Sequence, residues 1–445
     1  SYLLADSNTV SILLVDAVFP SAPTNAFLGK VSESSLDPEN WSLGVVPTAG
    51  HIVVFSPEYA QNQLDWVVGS PSTVAAWMQP YAFPTADYRV LFHTTPSEPL
   101  TITGDCLLNG GYWVHEGPSN SPVCAVAVNI GGNLTIGSGA QINAGNGGVN
   151  QVNGRTRGFY LAGPGYLPSS GDAGTGSSYG GEGATNDVTY GSLLNPLAYG
   201  SSGRGDNTYY SGGGLIFLTV AGNTTLNGGI YAKGFGYAVS GRGASTGGSV
   251  NLTTAALLGS GAISVDGGTD TYYGSGSGGR IRVKLTDNAA SFGNFTGTLT
   301  AYGNAGTPGS AAGTITCQTA ADGALSGTVI VDNNQYSDST NTPSRAMCTH
   351  LPPKQDTDSS FAETSWVMRR YASLRITKNV IVKSLRVESA TSRIFLDGNT
   401  VMTKELVVNG VTAKVGSYTA VDYPSILNGS GSVVVQSLGT VLMVR

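Results

Sequence analysis

Two aspartates four residues apart, Asp266 and Asp270, stand in and beside the glycine-rich turn Gly267-Gly-Thr-Asp-Thr-Tyr-Tyr-Gly274, shortly before Arg280 and Arg282. Carboxylates so spaced can do acid/base work when a cleft sets them around a substrate, or bind Ca2+ when further oxygens complete the shell. Aspartate in a turn also satisfies backbone amides with its own carboxylate. The plainer reading is preferred, because the glycine-rich Ca2+-binding nonapeptide is not matched. Asp172, Glu182, Asp187 and Asp206 are too irregularly spaced to name a pair. No catalytic residue is therefore assigned, and no metal or cofactor is expected. The four histidines, His51, His93, His115 and His350, are scattered, and the cysteine spacing fits no zinc site.

The four cysteines fall into two local pairs, Cys106/Cys124 and Cys317/Cys348. In a secreted chain the expectation is a disulfide within each pair; the alternative is four buried thiols. Tyrosines form a third set. Tyr209, Tyr210, Tyr272 and Tyr273 lie beside glycine-rich corners, where they would stack on sugars, pack subunits together or cover the outside of the molecule. Arg204-Gly-Asp206 is an RGD tripeptide, read here as a chance match in a glycine-rich loop. Six Asn-x-Ser/Thr sites matter only if the source glycosylates.

The elements that must position these groups are repeats. Leu226-Asn-Gly-Gly-Ile230-Tyr-Ala232, Leu258-Gly-Ser-Gly-Ala-Ile263-Ser-Val265, Phe295-Thr-Gly-Thr-Leu299-Thr-Ala301 and Leu325-Ser-Gly-Thr-Val329-Ile-Val331 align at spacings of 33, 36 and 30 residues. Leu134-Thr-Ile136 with Ile142-Asn-Ala144 is a fifth copy. Such a period predicts stacked units, each burying its apolar face on its neighbours. Alternation such as Ile281/Val283/Leu285 against Arg282/Lys284 gives each strand one inward face. The fold class expected is all-β, a parallel β-helix with glycine-rich corner loops and a C-terminal β-rich section.

Along the chain, residues 1–22 read as an apolar strand arm carrying Leu3, Leu4, Ile12, Leu13, Leu14 and Val15. It either caps its own core or is given to a neighbouring subunit. Residues 23–125 read as a β/aromatic cap region, with strand Ile52–Phe55 and aromatic residues Trp66, Trp77 and Phe92. Residues 126–331 are the repeat region, interrupted by a tyrosine-bearing loop at 145–213 that must pack on its own body or on another molecule. Residues 332–370 read as a connector holding the best helix candidate, Phe361 to Tyr371. Residues 371–445 read as strands, either a second β-domain or the far end of the same stack.

Composition sets the class. The 445 residues include 63 glycines, only 11% charged residues and a net charge of −6, with no basic stripe. Nucleic acid is an unexpected partner. No apolar run has the length of a transmembrane helix. A first residue other than Met suits a processed, secreted protein.

Two further motifs carry a family resemblance. Asn40-Trp-Ser-Leu-Gly-Val-Val-Pro-Thr-Ala-Gly50 resembles the turn that opens secreted bacterial β-helix proteins of the autotransporter-passenger type, with His51 where Asp is common there. Leu406-Val-Val-Asn-Gly-Val411, Gly416-Ser-Tyr-Thr419 and Leu427-Asn-Gly-Ser-Gly-Ser-Val-Val-Val435 resemble the segment that closes such repeats. The resemblance implies a right-handed parallel β-helix outside the cell. It departs from that family in having no translocator barrel and no long passenger. The function expected is an extracellular structural protein, a self-assembling subunit of a filament, sheath or surface layer whose partner is itself. The alternatives are a glycan-binding adhesin and, behind it, a polysaccharide lyase or hydrolase.

Overall fold

The computed structural model describes residues 21–56, 63–67, 69–80, 88–115, 125–145, 176–183, 188–203, 212–236, 244–269, 274–304, 309–334 and 347–437. Among them are β-strands and two short 3-10 turns, Pro38–Asn40 and Phe292–Asn294, and no α-helix. The expected helix at Phe361 to Tyr371 is instead strand Glu363–Met368. Trp366 and Met368 are both buried in the core, so a two-residue period governs where a 3.6-residue one was expected.

Successive passes of the chain alternate between two large, mostly parallel sheets. Val126–Ile130, Leu215–Val220, Ser249–Thr254, Arg280–Leu285 and Thr314–Gln318 enter a 14-stranded sheet. The segments between them, Leu134–Asn143, Gly229–Tyr231, Ala262–Ser264 and Thr298–Thr300, enter a 12-stranded sheet. The repeat register predicted from sequence is the ladder register. Ile142 pairs with Ile230, Ile230 with Ile263, and Ile263 with Leu299. On the other sheet Val126, Ile216, Val250, Ile281 and Ile315 stack likewise. Their side chains join one core. Burying each such aliphatic side chain is worth about 1.5–3 kcal/mol.

The last expected repeat breaks this order. Val329 does not stack on Leu299. Its strand, Ser326–Val331, turns back antiparallel on Thr314–Gln318 in the 14-stranded sheet, with Val329 opposite Thr316. The 12-stranded sheet ends at Thr298–Thr300, and a four-stranded sheet of Thr349–His350, Ser373–Arg375, Arg393–Phe395 and Leu427–Asn428 takes over. Beyond this point a second core forms around Trp366, Leu374, Ile394 and Leu406. The 14-stranded sheet still runs on through Val380–Val387, Thr400–Val408 and Ser432–Val435, so the C-terminal strands extend the same sheet. The expected connector at 332–370 itself contributes two strands.

Trp66 and Trp77 belong to the core of the stack. Both are buried in the stack, with Trp77 edge-on to Trp113 at 5.6 Å between ring centroids. The described part of the 145–213 segment packs on its own body. Extended stretches at 176–183 and 199–203 lie against the corners of the repeats, each bonding to more than one neighbour. Thr246 N–H donates to Ser201 O while Thr246 O accepts from Gly213 N–H. Gly247 N–H donates to Ser277 O, and Ser277 N–H donates to Ser177 O. Backbones here touch backbones. A Cβ on Gly313 would run into the carbonyl oxygen of Gly279, which is why glycine is needed at such a site.

Candidate functional site

The first candidate is the place where the 12-stranded sheet stops. Thr298 N–H donates to Gly261 O at 3.0 Å, and Thr300 O accepts from Val265 N–H at 2.9 Å. Both residues therefore bond inward, to the preceding strand. In an extended chain the intervening residue points its N–H and C=O the other way, so those of Leu299 face off the edge of the sheet. Thr298 is exposed, and Leu299 and Thr300 are half-buried. Phe292 and Phe295, just before this strand in the chain, pack with Leu299 on the first core and are only partly covered. An uncovered strand edge beside apolar surface is a template for another strand.

The second candidate is a polar cleft of about 450 Å3 on the four-stranded sheet, lined by Lys354, Asp356, Arg375, Lys378, Asp397 and Asn399 among others. The turn Asp397-Gly398-Asn399 enters it with positive φ at Asp397 and Gly398. Lys378 Nζ lies 3.4 Å from Asp356 Oδ2, and Arg375 Nε lies 3.8 Å from Asp397 Oδ2. Burial raises the Asp356 carboxyl above its ordinary range, and Lys378 opposes that shift.

Behind the cleft lies a buried acid–imidazole pair. His350 Nε2 is 2.6 Å from Glu182 Oε1, while Glu182 Oε2 accepts from Cys348 N–H at 2.7 Å. Thr189 Oγ1 is 3.0 Å from His350 Nδ1 and accepts from Lys354 N–H at 3.1 Å. A hydroxyl, an imidazole and a carboxylate in line is the pattern of an activated nucleophile. Here, however, His350 is 0% exposed and both its nitrogens are engaged within the protein. The group ties the 176–195 stretch to the four-stranded sheet. Glu182 was too irregularly placed in sequence to be paired; only the fold brings it to His350.

The remaining expected residues are placed as follows. Leu3, Leu4, Ile12, Leu13, Leu14 and Val15 of the arm, and Tyr209, Tyr210, Tyr272 and Tyr273, lie outside the described residues, as does Cys124. The expected Cys317–Cys348 disulfide is corrected, because no disulfide joins these two residues, while the expected Cys106–Cys124 pair falls partly outside the described residues. Cys317 sits in the 14-stranded sheet opposite Thr328, whereas Cys348 leads into the four-stranded sheet and packs on Phe395. The two belong to different walls. Burial pushes the Cys317 thiol up to about 12 and raises that of Cys348 well beyond its usual value. Both are held in the neutral, unreactive form.

Asp266 behaves as a turn residue. Its carboxylate accepts from Ser264 Oγ, Thr300 Oγ1 and the Tyr302 N–H, and Lys233 lies 3.7 Å away. Asp270 lies outside the described residues. Arg280 is fully buried and donates to the backbone carbonyls of Tyr190 and Tyr179 and to Thr314 Oγ1, with its guanidinium over the Tyr179 ring. Arg282 binds Gln318 and Asn251. These groups fasten the fold and do not converge on a substrate. Among the described residues no set of His, Cys, Asp and Glu is grouped to hold a metal ion, and no helix is long and apolar enough to cross a membrane.

Comparison with known proteins leaves the reading to the geometry: no family model, no curated protein and no solved structure matches this chain.

Proposed function

We propose that this protein is an extracellular structural subunit that assembles with copies of itself into a filament, sheath or surface layer. We also propose that its stacked passes form a right-handed parallel β-helix. One observation carries the assembly reading: the two ends of the 12-stranded sheet are finished differently. At Thr24–Phe27 the edge is covered, because the chain folds back and Ser42 N–H donates to Ala26 O while Leu28 N–H donates to Asn40 O. At Thr298–Thr300 nothing equivalent pairs with the edge among the described residues. A sheet closed at one end and open at the other suits directional, head-to-tail addition. Low charge and a body of stacked strands around apolar cores suit a passive scaffold. Negative-stain electron microscopy and sedimentation of the purified chain near neutral pH should reveal regular polymers; monodisperse monomers at every concentration would remove the reading.

A second reading, binding of an anionic saccharide, is favoured by the cleft. Lys354, Arg375 and Lys378 outnumber the two aspartates lining it, in an otherwise acidic chain. Titration with uronate oligosaccharides should then give binding that Lys378→Ala and Arg375→Ala weaken. Equal affinity in wild type and both variants would dismiss the cleft.

A further inference from the structure

We infer that the open edge at Thr298–Thr300 accepts the apolar segment Val10-Ser-Ile-Leu-Leu-Val15 of a second copy of this chain, as an added strand pairing with Leu299. This rests on the assembly reading and names its contact. The acceptor supplies what an added strand needs: the outward N–H and C=O of Leu299, and partly covered apolar side chains, Phe292 and Phe295, on the segment just before it. The donor supplies the complement. Val10, Ile12 and Leu14 fall on one face of an extended chain, with Ser11, Leu13 and Val15 on the other.

Reach decides that the donor comes from another molecule. From Thr24–Phe27 the 12-stranded sheet passes through Ile52–Phe55, Ala76–Gln79, Cys106–His115, Leu134–Asn143, Gly229–Tyr231 and Ala262–Ser264 before reaching Thr298–Thr300. That is seven interstrand steps, or about 34 Å at ~4.8 Å each. The six residues from Ser21 back to Val15 span at most about 20 Å fully extended. The segment therefore cannot reach the open edge of its own body, even by the straightest path. The donor is joined through Ser21 to the first strand of the sheet and the acceptor is its last strand, so each contact leaves a free donor and a free acceptor. Such a heterologous contact propagates unless its rotation happens to close a ring.

The test uses the full chain. In one arm, Ser11→Cys and Thr298→Cys are introduced together and treated with a short bis-maleimide, with the chain lacking both substitutions treated alike to account for the native thiols, of which Cys317 is only partly buried. A ladder of covalent dimers, trimers and higher species is expected on a denaturing gel. A cross-link confined to monomers would overturn the intermolecular pairing. In a second arm, removal of residues 1–18 should abolish polymers and leave folded monomers by circular dichroism. A peptide covering residues 8–18 should bind that truncated chain at one per molecule. The double substitution Ile12→Asp/Leu14→Asp should match the truncation without touching the body. Leu299→Pro, which removes only the outward N–H from the backbone, should block the acceptor.

Polymers that persist after truncation would overturn this inference while leaving assembly intact. Polymers lost on removal of residues 438–445 but not of 1–18 would assign the donor to Val441-Leu-Met-Val444 and likewise overturn it. A wild-type chain that never polymerises, with no intermolecular cross-link, would sink the assembly reading itself.

Discussion

The two ends of the 12-stranded sheet solve one problem in two ways. At its start, Phe27 meets Trp41 edge-on at 5.2 Å, Trp41 meets Trp66 at 6.4 Å, and Trp41 Nε1–H donates to Ser35 O at 2.9 Å. Asn40, itself buried, accepts from Val31 and Ser32 N–H and donates to Ser34 O. The terminal strand is thus covered by aromatic surface and by a loop whose own polar groups are satisfied. At its finish, Leu299 occupies the position of Ile263 one pass later, yet it is only half-buried. The same repeat position is core when a further pass follows and surface when none does. Burial here belongs to the neighbour as much as to the residue.

That contrast can be tested quantitatively. Trp41→Ala should be the most damaging, costing about 3–5 kcal/mol as expected for a buried tryptophan. Urea denaturation should show it, and the covering loop should become sensitive to protease under native conditions. Next comes the matched pair. Ile263→Ala should cost about 2–5 kcal/mol, whereas Leu299→Ala in the monomer should cost clearly less, since part of its surface is already in water. Equal losses would mean that the edge is closed in solution.

The smallest effect concerns the cleft. Burial raises the Asp356 carboxyl above its ordinary 3.8 in the folded state. A carboxyl whose folded pKa is raised contributes stability that is fully present below the unfolded value and lost as pH rises through the folded one. Asp356→Asn should therefore be more stable than wild type at neutral pH, with the gap shrinking as the pH approaches about 4. Chemical denaturation at both pH values measures it. A gap that grows on acidification would show that the pairing with Lys378 outweighs burial.

Much of this was legible in the chain. The spacing of Ile230, Ile263 and Leu299 gave the ladder register, because a stacked strand must repeat its inward residue. Alternation in Ile281 to Leu285 marked one buried face. The failures are equally specific. Leu325 to Val331 has the repeat's pattern, but its strand runs antiparallel, and pattern alone carries no direction. Phe361 to Tyr371, the best helix candidate, holds a strand, because a short apolar run fits either period. Cys317 and Cys348 are near in sequence and lie on different walls.

The sequence by itself determined the all-β class, the stacking period and the inward face of each repeat strand. Those follow from local rules: the alternation of side chains along a strand and the glycines that let backbones meet at the corners. Only the tertiary structure decided where the 12-stranded sheet would stop, that the reversal at Ser326–Val331 leaves Leu299 on an edge, and that Glu182 would meet His350 across more than a hundred and sixty residues. Each of these depends on which distant segment arrives beside a given one, and no local pattern encodes that arrival.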